Sequence, residues 1–182
     1  MISSETNHIS TIKSLLMTVR ASQKMHALVV EGPAGWGKTT AVDEAITQTG
    51  VSGVHLGAYS TPLHLFNFLY ANSDKFVVID DCAGLFNDQG SMAILKAATW
   101  GQGQNRVVKW GSTSSRAAID EFVFKGKLII ICNSFPFTSD AEAVRSRGFP
   151  YKIEITPNRA KTLLAEAAGN IKWYPNIKKA QI

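Results

Sequence analysis

The residues Gly32-Pro33-Ala34-Gly35-Trp36-Gly37-Lys38-Thr39 join a glycine-rich turn to a lysine and a hydroxyl, a spacing suited to holding phosphate. Glycines let the backbone curl until successive N–H groups converge on phosphate oxygens, and a helix starting there adds the positive end of its dipole. Lys38 would neutralise the β- and γ-phosphates of a nucleoside triphosphate, and Thr39 would offer its hydroxyl to Mg²⁺. Thr40 extends the expected nucleotide-binding stretch to residues 32–40. ATP and Mg²⁺ are the cofactors this chemistry requires.

Two carboxylates complete such a site. Asp80 and Asp81 follow the apolar run Phe76-Val77-Val78-Ile79 about forty residues downstream. A buried parallel strand delivers acids in this way to the carboxyl edge of a sheet, where ligands bind. Asp80 would hold the Mg²⁺ shell together with Thr39. Asp81 would orient or deprotonate the attacking water, although Glu is commoner there and the shorter side chain bears on rate. Asn133 ends a second apolar run, Leu128 to Cys132, and either hydrogen-bonds the γ-phosphate or attacking water or simply terminates the strand. Arg145 and Arg147 are candidates to stabilise phosphoryl-transfer charge in a neighbouring subunit, or else are solvated arginines at a helix end.

These residues need elements to position them. Residues 9–25 read as an amphipathic helix, 27–31 as a buried strand and Lys38 to Thr49 as a helix stopped by Gly50. A weaker strand at 54–57, helices at 63–70 and 89–100, strands at 76–81 and 128–133, a helix at 139–147, a strand at 151–155 and a helix at 157–168 follow. Alternating strands and helices predict a three-layer α/β sandwich around a five-stranded parallel sheet, its strand order unspecified by periodicity. Residues 101–116 break the alternation: turn-rich flanks enclose Arg106-Val107-Val108-Lys109-Trp110, which suggests an inserted hairpin.

Composition narrows the classes. The 182 residues are 45% hydrophobic and 18% charged, matching one domain with a sizeable core. No apolar run approaches the ~20 residues of a membrane span and the N-terminus lacks a signal-peptide pattern, so a cytoplasmic protein without membrane partners is expected. Cys82 and Cys132 sit in or beside apolar runs and are expected to be reduced. His8, His26, His55 and His64 lack metal-pair spacing. The net charge of +5 is uneven: residues 1–91 hold five Lys/Arg and eight Asp/Glu, whereas residues 92–182 hold fourteen and six. That asymmetry points to a polyanionic partner, or to an evenly solvated basic surface.

Taken together, the phosphate loop at 32–39, Val77-Val78-Ile79-Asp80-Asp81, Ile130-Ile131-Cys132-Asn133 and Arg145-Ser146-Arg147 resemble, over residues 25–157, the Walker A, Walker B, sensor 1 and arginine finger of AAA+ ATPases. The Asp pair, Asn133 followed by Pro136, and the basic hairpin are most similar to superfamily-3 helicases and phage or plasmid replication ATPases. The resemblance implies that Asn133 is sensor 1, that Arg147 rather than Arg145 is the finger, and that subunits form a homo-oligomer, a ring of hexameric type or a filament. It implies that Arg106, Lys109, Trp110 and Arg116 contact DNA, single-stranded by the pairing of charge with a stacking surface. The residue pattern also allows an edge hairpin with Trp110 packed inward, or Lys109 acting in trans on phosphate.

The expected organisation is an N-terminal helical segment at 1–26, an ATPase core at 27–157 and a short C-terminal helix and tail at 158–182, too short for a full lid. The expected function is a Mg²⁺-dependent ATPase of helicase or translocase type in phage or plasmid DNA replication, within the host cytoplasm and alongside a replication partner protein. An ATP-gated assembly or helicase-loader module with slow hydrolysis is the alternative, favoured by Asp81 and the short C-terminus. A small-molecule kinase uses the same loop, but the strand-borne Asp pair and the lack of an Arg-rich lid weigh against it.

Overall fold

Three apolar runs become the centre of one sheet: β1 (Ala27–Glu31), β3 (Phe76–Asp80) and β6 (Lys127–Cys132). With β2 (Gly53–Leu56) and β7 (Gly148–Lys152) they form a parallel five-stranded sheet in the order β2-β3-β6-β1-β7. The computed structural model describes residues 8–57, 59–81, 83–101, 105–111, 117, 119–154, 156–157 and 161–162.

Successive residues of a strand face opposite sides, so a strand covered on both faces must be apolar throughout. Ala27, Val29, Val77, Ile79, Leu128 and Ile130 enter one core, while Leu28, Val30, Phe76, Val78, Ile129 and Ile131 enter the other. The second core is closed by α1 (His8–Ala21) and α2 (Lys38–Thr49), with Ile12, Leu16, Val19, Val42 and Ala45 buried. The first is closed by α3 (Pro62–Ala71), α4 (Ala83–Asn87), α5 (Gln89–Thr99) and α6 (Ser139–Arg145). The N-terminal helix thus packs into the same core as α2.

Local chemistry sets the element ends. Thr61 accepts from the His64 N–H at 3.2 Å with Pro62 beginning α3, Asp88 accepts from Ser91 N–H at 2.7 Å at α5, and Thr138 accepts from Ala141 N–H at 3.2 Å at α6. Gly50 ends α2 at φ 63.

The hairpin forms, and it is longer than its sequence cues suggest. Its outgoing strand β4 (Arg106–Lys109) pairs antiparallel with β5 (Glu121–Phe124), beyond the turn-rich stretch that seemed to end it at 116. The last strand begins three residues earlier than 151, because Gly148 pairs with Ala27 and Tyr151 with Val30. α4 has no counterpart in the sequence reading, being too short to show helical periodicity. Most of 158–182, including most of the expected C-terminal helix, lies outside the described residues. Among the described residues no helix is long and apolar enough to cross a membrane.

Candidate nucleotide site

The carboxyl ends of β1, β3 and β6 lie side by side, since Val30 pairs with Ile131 and Asp80 with Ile131 on its other side. The loop after β1, the acids after β3 and Asn133 after β6 therefore meet at one edge. Between them opens a cleft of about 460 Å³ lined by residues 34–40, Asp80, Asp81, Ile131, Cys132 and Asn133.

Gly35 (φ 75) and Gly37 (φ 70) take the left-handed backbone that lets the loop curl. Gly37 also stands at the N-cap of α2 without a capping side chain, so the first-turn N–H groups remain for an anion. Trp36 anchors the loop by packing against the α1–α2 core. Lys38 is only 9% exposed, and its ammonium donates to the carbonyls of Gly32 (2.9 Å) and Pro33 (2.9 Å) and to Asn133 Oδ1 (2.8 Å). These three acceptors hold the charge at the cleft without neutralising it. With Oδ1 facing Lys38, Asn133 keeps its amide N–H groups as donors.

Thr39 Oγ1 donates to Asp80 Oδ2 at 2.6 Å. A hydroxyl and a carboxylate oxygen in contact are the hard donors a Mg²⁺ shell uses, so these two residues fit that ion. Asp81 adopts φ 49, and its N–H donates to the Ile131 carbonyl at 3.1 Å. The left-handed turn takes its exposed carboxylate off the strand line, between the cleft and a smaller cavity of about 270 Å³ lined by Phe86, Asn87, Ser134 and Pro136. Cys132 is buried at the cleft wall. Burial and the Glu31 charge push its thiol up to about 12, so it stays protonated at neutral pH. Cys82 lies outside the described residues.

The two candidate finger arginines part company. Arg145 reaches Glu31 (3.5 Å), a carboxylate that also accepts from the Phe135 N–H at 3.5 Å and that the sequence reading did not single out. Arg147 turns away to a groove of about 620 Å³ between α5 and α6, with its guanidinium carbon 4.4 Å above the Trp100 ring.

Two of the residues assigned to nucleic acid, Arg106 and Trp110, face inward instead. Arg106 is 0% exposed, because the alternation of β4 places it on the inner face with Val108. Its guanidinium lies 2.6 Å from His26 Nδ1, donates to the Gly126 carbonyl and rests over the Phe124 ring at 5.4 Å. Beside it the buried Lys127 donates to the carbonyls of Ser22 (2.7 Å) and Met25 (3.0 Å). His26 accepts these cations at Nδ1 and donates from Nε2 to the Gly101 carbonyl at 3.2 Å. Burial lowers Arg106 to about 10, and burial plus the Arg106 charge lowers Lys127 to about 8. Burial, then the Arg106 charge, lowers His26 to about 4, leaving it neutral. Trp110 also packs inward, 5.6 Å from Phe66. Lys109 is exposed but paired with Glu121 at 2.8 Å, and Arg116 lies outside the described residues. The four do not form a described basic, stacking surface.

No family model matches the chain. It is similar to a phage protein, the uncharacterized 36.7 kDa protein in the nrdC-mobD intergenic region of Enterobacteria phage T4, at 28% identity over 118 residues covering 60% of this chain and 36% of that protein. Among solved structures it superposes on the Aeropyrum pernix Orc1 protein in complex with DNA (TM-score 0.58, 14% identity, 89% of this chain and 48% of that one). It also superposes on an inhibitor-bound JCV helicase (TM-score 0.53, 14% identity, 87% and 44%). The chain thus spans about a third to a half of the proteins it matches. It shares the fold of these structures, a central parallel five-stranded sheet with helices on both faces.

Proposed function

We propose that the chain is a Mg²⁺-dependent ATPase that assembles into a hexameric ring on single-stranded DNA and serves phage or plasmid replication as a helicase or translocase. The observation that carries the ATPase reading is the pairing of Lys38 with Asn133 and of Thr39 with Asp80 across three strand ends. The phage relative and the DNA bound by the Orc1 protein support the setting.

Phosphate oxygens entering the loop would replace the Gly32 and Pro33 carbonyls as partners of Lys38. Asn133 would then present its N–H donors to the γ-phosphate or the attacking water, and Asp81 would hold that water or take its proton. Thr39 and Asp80 would hold Mg²⁺, which supplies neutralising charge to the β- and γ-oxygens. Arg147 from a neighbouring copy would stabilise the transferring phosphoryl group, since in its own chain it precedes β7 at the amino edge of the sheet, opposite the cleft. Of the hairpin residues, Lys109 remains the exposed candidate for the DNA backbone.

One observation favours the second reading, an ATP-gated assembly or loader module acting with a replication partner. Asp81 is short and left-handed, which limits how far its carboxylate reaches. ATP turnover measured with and without single-stranded DNA, together with solution mass in an ATP analogue, tests both. Strong stimulation with assembly supports the motor. Assembly with unstimulated, slow turnover supports the switch, and neither binding nor assembly sinks the proposal.

A further inference from the structure

We propose that Trp100 is a positioning residue for the Arg147 guanidinium, holding it ready for the γ-phosphate in an adjoining copy. The inference rests on the reading of Arg147 as the arginine supplied in trans.

Trp100 caps the end of α5 in extended conformation and leaves its indole 67% exposed. An exposed indole can offer its face to a cation. Here the Arg147 guanidinium occupies it at 4.4 Å. Stacking engages the flat face of a guanidinium and leaves its N–H donors free in the plane, where bidentate contact with phosphate is made. One of those donors reaches the Lys96 carbonyl at 3.4 Å. Among the described residues no carboxylate lies within ion-pair distance of Arg147, whereas Lys96 is paired with Asp140 at 2.8 Å and Arg145 with Glu31.

The backbone beneath is fixed as well. The Arg147 carbonyl accepts from His26 N–H at 2.8 Å, and its N–H donates to the Val144 carbonyl at 3.2 Å. An arginine normally loses much rotamer freedom when it meets an anion. One already stacked on a ring, tied at one N–H and rooted at both backbone groups has lost most of that freedom beforehand. Its remaining charge faces an open groove whose lining includes the small residues Ala97, Gly101 and Ala143 beside the Lys96–Asp140 pair. Arg145 is instead held by its own chain's Glu31 at 3.5 Å.

The test compares full-length Trp100→Leu, Trp100→Phe and Arg147→Ala in ATP hydrolysis at a concentration where wild type assembles. Trp100→Leu should lower kcat about tenfold with KM for ATP unchanged to within about twofold, and Trp100→Phe should recover most of the rate, since a smaller π face still holds the cation. Adding excess Lys38→Ala subunits, which carry an intact Trp100 and Arg147 but a disabled cleft, should restore turnover in the Trp100→Leu clefts. If Arg147→Ala is inactive while Trp100→Leu turns over at the wild-type rate, Trp100 has no positioning role although the trans reading stands. If Arg147→Ala keeps full turnover, the trans reading itself fails. A Trp100→Leu loss rescued by neither Phe nor Lys38→Ala subunits marks a structural role, and lost oligonucleotide affinity with turnover kept marks a nucleic-acid groove; either overturns the proposal.

Discussion

The two edges of the sheet both gather cations, and they treat them in opposite ways. At the carboxyl edge Lys38 is held by two carbonyls and an amide oxygen, all exchangeable, at the wall of an open cleft. At the amino edge Arg106 and Lys127 are buried around His26 and spend their donors on backbone carbonyls of the segments they tie together. Among the described residues neither has a carboxylate within ion-pair distance. A cation is available for chemistry when its partners can be displaced by a ligand from solvent. It is structural when those partners are sealed, however basic it looks in sequence.

Exchanging the roles by mutation is the sharpest way to break that contrast. Lys38→Ala should lower ATP turnover by about 10³-fold, with the melting temperature little changed, because the loss falls on charge developing at phosphate. Asp80→Asn should cost about 10²-fold in turnover and raise the Mg²⁺ concentration needed for half-maximal rate, read from a Mg²⁺ titration. Should turnover be insensitive to either, the carboxyl edge is not the reacting edge.

At the other edge the effect should appear in stability alone. Arg106→Leu should destabilise the chain by about 2 kcal/mol in urea, since the Gly126 carbonyl loses its buried donor. Affinity for an ATP analogue and for single-stranded DNA should not change. A weakened DNA affinity in a fully folded variant would return Arg106 to the nucleic-acid interface.

Asp81 sharpens the comparison from within the cleft. A non-glycine residue at φ 49 carries backbone strain. Asp81→Gly should therefore gain about 1 kcal/mol of stability while turnover falls. A stability loss instead would mean that its carboxylate supports the fold.

A pH dependence distinguishes the amino edge further. His26 titrates at about 4 in the folded chain against 6.5 when unfolded, so unfolding takes up a proton between those values and stability falls as pH drops through that window. By the same sign Lys127, lowered from 10.5 to about 8, makes the fold gain stability as pH rises above 8. Melting temperatures across pH 4–6.5 should be flatter for His26→Gln than for wild type.

Much of the candidate nucleotide site was legible because its chemistry is local. Residues 32–39 carry the turn, the cation and the hydroxyl in one stretch, and Asp80 and Asn133 each end an apolar run that can only be a buried strand. Trp100 gave a weaker signal, an aromatic at the end of an amphipathic helix, and Glu31 none beyond closing a strand. The hairpin was legible as an element but not as a surface. Nothing in Arg106-Val107-Val108-Lys109 says which parity faces inward until Phe122 and Phe124 of the returning strand supply the apolar partners.

What the sequence determined by itself was the glycine-rich loop ending in Lys38 and Thr39, the acids at a strand end and the α/β alternation, because each follows from neighbouring residues. The tertiary structure alone decided the order β2-β3-β6-β1-β7, which brings Asn133 within 2.8 Å of Lys38 from 95 residues away. It also decided that Arg106 is sealed in while Arg147 lies on an exposed indole. Both outcomes depend on which faces pack together, and a strand's period of two specifies a face only relative to the partner that covers it.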